Sequence, residues 1–182
     1  MARSSVNAMS SRRLATVIAL GCYVIAAVLF LTLGGASPDE RNATNAVDIH
    51  GFEYVTLEGV ETSLGAFEGQ PLIINFFAST CVPCVQEMPD FEDLHQEFGD
   101  QVTIVGLAVE GARPARRIVE ETEITYPTGL EGGNDLLIDL GGYGMPTTVF
   151  VAADGSVLES RTGILTPDEL RERLRQHYGI IA

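Results

Sequence analysis

The feature that most constrains the fold is an uncharged, mostly apolar run, PLIINFFA, at residues 71–78. Such a run is typical of a strand buried on both faces, because a strand with one solvent face alternates apolar and polar residues. The segment that follows, Val82–Phe98, repeats apolar residues every three or four positions, which is the helical period. A second apolar run, VTIVGLAV at residues 102–109, comes after it. Two buried strands joined by a helix predict parallel neighbours in a sheet that is covered on both faces.

Antiparallel hairpins are predicted on either side of this central unit. Before it, FEYVTLEG at residues 52–59 alternates apolar and polar residues, and an EG turn leads into a second short strand at residues 60–64. After it, residues 147–153 and 156–163 flank a DG dipeptide, which is a strong signal for a tight hairpin turn. The sheet is therefore expected to be mixed, with a parallel centre and antiparallel additions.

Two further helices complete the predicted domain. A polar helix is expected over Ala112–Thr122, after the second buried strand. The last helix begins at a capping box, with Thr166 as N-cap, Pro167 in the first turn and Glu169 as the capping acid. The sequence thus predicts an α/β domain over residues 49–182, with a mixed central β-sheet and helices on both faces.

A separate segment precedes the domain. Residues 14–33 contain no charge and follow three arginines, and twenty residues span a bilayer core of about 30 Å. We predict an uncleaved transmembrane signal-anchor there, with residues 1–13 cytoplasmic and the domain on the extracytoplasmic side. Residues 34–48 have the polar, small-residue composition of a linker. The alternative is a signal peptide that is cleaved near residue 37, which would leave a secreted or periplasmic protein.

Charge excludes one class of partner. All 25 acidic residues lie after the apolar segment, against eight arginines there, and the chain has no lysine. Because the phosphate backbone of nucleic acid requires positive charge, nucleic acid is not an expected partner.

The chemistry is concentrated in the sequence CVPC, at the junction of the first buried strand and its helix. Cys81 lies where the helix begins, where the positive end of the helix dipole favours thiolate, and Cys84 lies one turn further along. This arrangement favours a redox couple in which Cys81 is the nucleophile and Cys84 resolves the mixed disulfide. A structural disulfide stays open as an alternative, although a four-residue loop gains little from a cross-link. Zinc is disfavoured because the chain lacks two further ligands at suitable spacing.

Two motifs resemble one known family. NFFASTCVPC resembles the active-site segment of thioredoxin-fold proteins, and GMPTTVFVAADGSV resembles their cis-proline segment about 60 residues later. Together with the predicted anchor, the chain looks like the membrane-tethered thiol-disulfide oxidoreductases of the TlpA/ResA type, within the redoxin superfamily. The resemblance implies a thioredoxin fold preceded by a β-hairpin, a redox disulfide without further cofactor, and an enzyme that reduces exported proteins, for example in cytochrome c maturation. It also implies recharging by a membrane dithiol donor, and we expect a monomer.

The resemblance assigns roles to the residues around the cysteines. It makes Pro146 the cis-proline that packs against the disulfide, and Met145 the residue whose backbone pairs with an incoming peptide. Thr147, Val82 and Pro83 are expected to line the same substrate-binding surface. The family carries a tryptophan just before the first cysteine, and a threonine stands there in this chain.

Glu87 is the remaining catalytic candidate. Cytoplasmic thioredoxins carry a buried acid six residues before the first cysteine, and Asn75, which cannot titrate, stands at that position. Glu87 lies three residues after Cys84, on a neighbouring helical face, and the matching glutamate of the tethered family acts as an acid–base group. The competing interpretation is a solvated acid near the helix N-terminus.

Two other functions stay open. A disulfide-forming oxidant of the same fold would use the same residues. A copper(I) metallochaperone would use the two thiolates as soft ligands, although a wider cysteine spacing and a partnering histidine would then be expected.

Overall fold

The structure is a computed structural model that describes residues 47–181. The predicted cytoplasmic segment, transmembrane anchor and most of the linker lie outside the described residues, and they stay predictions. Among residues 47–181, no helix is long and apolar enough to cross a membrane.

Seven strands in the described part form one sheet, in the order β2-β1-β5-β4-β3-β6-β7. The strands are β1 Glu53–Thr56, β2 Glu61–Ser63, β3 Leu72–Phe77, β4 Thr103–Ala108, β5 Thr128–Leu130, β6 Thr147–Val151 and β7 Val157–Thr162. The α-helices are α1 Val82–Phe98, α2 Ala112–Thr122, α3 Asp135–Asp139 and α4 Pro167–Arg173. A 3-10 turn at Leu64–Phe67 follows β2, and a π-helical turn at Leu174–Tyr178 continues α4.

The central strand β3 positions the cysteine motif. All six of its residues are buried, as the uncharged run predicts. It pairs in parallel with β4, where Phe77 faces Ala108, and antiparallel with β6, where Asn75 faces Thr148. The sheet is therefore mixed, and the carboxyl end of β3 opens directly into the turn before α1.

Side chains of β3 divide the core into two parts. Ile73 and Phe77 point to the larger part, which buries α1, α2 and α4 against the sheet. Leu72, Ile74 and Phe76 point to the other part, which holds α3 and the start of the domain. Helices thus cover both faces, as predicted, but the face that carries the cysteines has the longer ones.

Two short elements, β5 and α3, are absent from the sequence prediction. β5 has three residues, too few to show a period, and its central Gly129 lies against the ring of Tyr54. A Cβ there would come within 2.4 Å of the tyrosine Cδ2, so the position requires glycine. α3 has five residues, and short helices carry little periodic signal.

Candidate active site

The first cysteine lies at the N-terminus of α1. Cys81 is the N-cap residue, and its sulfur accepts a hydrogen bond from the backbone N–H of Cys84 at 3.2 Å. The two form a disulfide, with their Cα atoms 5.3 Å apart. Cys84 is completely buried and Cys81 is partly exposed. An incoming thiol or disulfide therefore meets Cys81 first.

The segment before β6 lies against the same core. The Met145–Pro146 peptide bond is cis, and Met145 packs against both parts of the core. The carbonyl of Pro146 accepts a hydrogen bond from the N–H of Gly163 at 2.9 Å. Thr147 is completely buried, and its hydroxyl donates to the carbonyl of Gly144 at 2.8 Å. Its side chain thus fixes the loop from inside and does not face solvent.

Apolar side chains are exposed beside Cys81. Val82 is 66% exposed and Pro83 is also exposed, both in the first turn of α1. Met145 is half-buried. The structure therefore leaves Val82 and Pro83 accessible next to the partly exposed sulfur.

Glu87 is a buried carboxyl group with two hydrogen bonds. Its Oε1 accepts from the side-chain N–H of Asn75 at 2.8 Å, and its Oε2 accepts from the backbone N–H of Leu165 at 3.2 Å. The residue is 0% exposed, which excludes the solvated interpretation. Burial raises the pKa of Glu87 to about 7, against the lowering effect of the two hydrogen bonds, and Asp90 adds a small rise.

The loop after β7 connects Glu87 to the cis-proline segment. Gly163 donates to the carbonyl of Pro146, and two residues later Leu165 donates to Glu87. The two contacts are therefore joined by a short piece of backbone.

From the sequence, Asn75 is only the position where the buried acid of cytoplasmic thioredoxins is missing. In the structure it is the partner of Glu87, and its amide also lies 3.5 Å from the hydroxyl of Thr148. A signal was available, because a polar side chain inside a fully buried strand requires a hydrogen-bonding partner. The sequence analysis also missed Ser79, which bonds to Glu110 in the turn just before Cys81.

The sequence disfavours a metal centre at the cysteines. Within residues 47–181, no cluster of three or more histidine, cysteine or acidic side chains is placed to hold a metal ion.

Comparison with known proteins places this site in a family. Residues 38–174 match the sequence profile of the family described as Redoxin. Thiol-disulfide oxidoreductase ResA of Bacillus thuringiensis subsp. konkukian is 25% identical over 170 residues, which cover 92% of this chain and 98% of that protein. The protein of the same name from Halalkalibacterium halodurans is 30% identical over 118 residues, which cover 64% of this chain and 67% of that protein.

Solved structures show the same fold. A thiol:disulfide interchange protein of the thioredoxin family from Chlorobium tepidum superposes with a TM-score of 0.63 at 27% identity, covering 70% of this chain and 93% of that one. StoA from Bacillus subtilis superposes with a TM-score of 0.57 at 24% identity, covering 66% of this chain and 93% of that one. The resemblance to ResA-type proteins is confirmed: the chain belongs to the redoxin family and has a thioredoxin-like fold.

Proposed function

We propose that this protein is an extracytoplasmic reductant, which uses the Cys81–Cys84 couple to reduce disulfides in exported proteins. The broader class, a thiol-disulfide oxidoreductase, rests on the relatives and on the disulfide at the start of α1. The observation that supports thiol-disulfide exchange through Cys81 is the difference between the two cysteines, since Cys81 is partly exposed and Cys84 is buried.

The reaction follows from this geometry. In the reduced enzyme the Cys81 thiolate attacks one sulfur of a substrate disulfide, which forms a mixed disulfide and releases one substrate thiolate. Cys84 then loses its proton and attacks the Cys81 sulfur, which breaks the mixed disulfide and releases the second thiolate. Two electrons pass to the substrate, and the enzyme ends in the disulfide form that the structure contains.

Glu87 is the proposed acceptor of the Cys84 proton. An unperturbed thiol has a pKa of about 8.5, so Cys84 needs a base near neutral pH. Glu87 follows Cys84 by three residues on α1, and its pKa, raised by burial to about 7, lets it bind and release a proton in that range. Asn75 and Leu165 hold the two carboxyl oxygens in place.

The substrate is proposed to lie across the surface formed by α1 and the cis-proline loop. Exposed Val82 and Pro83 supply an apolar contact next to Cys81. Met145 offers its backbone to an extended peptide, Pro146 separates that peptide from Cys84, and Thr147 anchors the loop through its buried hydroxyl.

The cellular setting is part of the proposal. Residues 14–33 tether a monomeric domain to the membrane, a membrane dithiol carrier returns Cys81 and Cys84 to the reduced state, and cytochrome c maturation supplies the substrates. The support is the apolar segment and the similarity to ResA-type proteins along 92% of the chain.

The reduction potential tests the direction of the reaction. We expect the full chain in detergent to equilibrate with reference thiols at a potential near −300 mV or below, as for a reductant. A value near −120 mV would instead indicate a disulfide-forming oxidant.

Trapping tests the order of the two thiols. Cys84→Ser should accumulate mixed disulfides on Cys81 that disappear on adding dithiothreitol, and Cys81→Ser is the matched control that should trap none. Alkylation of the reduced protein at pH 6 to 7 should modify Cys81 before Cys84. Preferential modification of Cys84 would reverse the assignment.

A further inference from the structure

The turn that precedes Cys81 is held by an acid from the bend that follows β4. The backbone N–H of Ser79 donates to Glu110 Oε1 at 2.5 Å, and the Ser79 hydroxyl donates to Glu110 Oε2 at 2.9 Å. Both carboxyl oxygens therefore bind one residue, two positions before the reactive cysteine. Such charge-assisted pairs are stronger than neutral hydrogen bonds.

The parallel pairing of β3 and β4 brings these residues together. The ladder continues one residue beyond the end of β4, because the N–H of Val109 donates to the carbonyl of Phe77, the last residue of β3, at 3.0 Å. Glu110 is the residue after Val109, and Ser79 lies in the turn that follows β3. The same turn is closed by the N–H of Cys81, which donates to the carbonyl of Ala78 at 3.0 Å.

We propose that Glu110 is a positioning residue for Cys81, which fixes the turn through Ser79 and places one carboxylate in the turn that leads to the reactive thiol. The inference rests on the proposed reaction at Cys81. The hydrogen bonds set the direction in which the Cys81 side chain leaves the turn, and so the point where a substrate disulfide must arrive. The charge opposes formation of the Cys81 thiolate, against the helix dipole that favours it.

The two loops named above carry no charge: neither the cis-proline loop, residues 141–146, nor the loop after β7, residues 163–166, contains a charged residue. Glu87 follows Cys84 by three residues on α1. Arg113 is the first cation after Glu110, at the start of α2, and it forms no ion pair with Glu110 in the described part of the chain. The Glu110 charge is thus not neutralised by a neighbouring ion pair.

Two variants separate geometry from charge. Glu110→Gln keeps an oxygen that accepts from Ser79 and removes the charge, and Glu110→Ala removes both. Glu58→Gln is the matched control, since Glu58 is an exposed acid in the β1–β2 turn and its loss changes the net charge equally. All are made in the full chain, and far-ultraviolet circular dichroism with a urea midpoint checks that each variant folds.

The first readout is alkylation of Cys81 by iodoacetamide at pH 7, in a Cys84→Ser background. Glu110→Gln should react about threefold faster than its parent, because removing one nearby charge in a water-like dielectric raises the thiolate fraction by that order. Glu58→Gln should match the parent. A Glu110→Gln rate equal to that of Glu58→Gln would overturn the charge effect.

The second readout is single-turnover reduction of a peptide disulfide by the reduced protein with both cysteines. Glu110→Ala should be about tenfold slower than wild type although its Cys81 is more reactive, because the thiol is misplaced. Glu110→Gln should recover most of that loss. Reduction by Glu110→Ala at the wild-type rate would refute the positioning role. Failure of wild type to reduce the peptide, with Cys81 still alkylated normally, would refute the proposed function instead.

Discussion

Among residues 47–181, two acidic side chains are buried, Glu87 and Glu131, and their surroundings differ. Glu87 is 0% exposed and Glu131 is 6% exposed. Glu131 accepts the backbone N–H groups of Asn134, Leu136 and Leu137 at the start of α3. Glu87 accepts one backbone N–H, from Leu165, and one amide N–H, from Asn75.

One fold thus uses the same side chain in two ways. Three backbone N–H groups replace the hydrogen bonds to water that Glu131 loses on burial. In turn, the carboxylate accepts from N–H groups at the start of α3, a helix too short to be stable by itself. Glu87 has fewer donors and is fully buried on α1, so burial dominates and raises its pKa to about 7. Glu131 is therefore a structural acid, and Glu87 is suited to proton transfer.

The largest expected effect is on stability at Glu131. Glu131→Ala leaves three N–H groups without their acceptor, and each such loss costs about 1 to 3 kcal/mol. We expect the free energy of unfolding at pH 7 to fall by about 4 kcal/mol, measured by urea denaturation. A loss below about 1 kcal/mol would mean that water replaces the carboxylate and that Glu131 is not a structural acid.

At high pH, Glu87→Gln should raise the free energy of unfolding relative to wild type, whereas Glu131→Ala lowers it. Because folding raises the pKa of Glu87 from 4.5 to about 7, the folded protein holds this proton more tightly than the unfolded chain. That contribution is complete below pH 4.5 and is lost as the pH rises to about 7, a change of up to about 3 kcal/mol.

Urea denaturation at pH 4 and pH 8 measures this change. Relative to wild type, Glu87→Gln should gain stability between the two pH values, because glutamine cannot ionise. A constant difference between variant and wild type would show that Glu87 does not change its pKa on folding.

The smallest expected effect is at Asn75. Its amide N–H lowers the pKa of Glu87, so Asn75→Leu, which keeps the branched shape and removes the amide, should raise that pKa by about one unit. The shift can be followed by carbon-13 NMR of the labelled carboxyl group. Thr148→Val, which removes only the 3.5 Å contact to Asn75, is the control and should move the value much less.

Much of this site could be predicted from the sequence, because local patterns define it. The run of residues 71–78 indicates a buried strand, the period of Val82–Phe98 indicates a helix, and CVPC lies at their junction. The structure has β3 at Leu72–Phe77 and α1 with the predicted bounds.

The rest depends on contacts between distant segments. Glu87 and Leu165 are 78 positions apart, and only the path of the loop after β7 brings that N–H to the carboxyl group. The bond between Ser79 and Glu110 likewise requires the register of β3 with β4, and Glu131 requires the short helix α3. No periodicity within one element carries this information.

Glu87, and not any other buried acid, is the proposed acceptor of the Cys84 proton. Single-turnover reduction of a peptide disulfide from pH 5 to 9 tests it directly, with wild type, Glu87→Gln and Glu131→Gln as the matched control. We expect the rate of Glu87→Gln to fall tenfold or more near neutral pH and to recover toward about pH 8.5, the pKa of an unperturbed thiol, while Glu131→Gln follows wild type. A Glu87→Gln rate within about threefold of wild type at every pH would contradict it, because general acid–base transfer is worth about 100-fold or more.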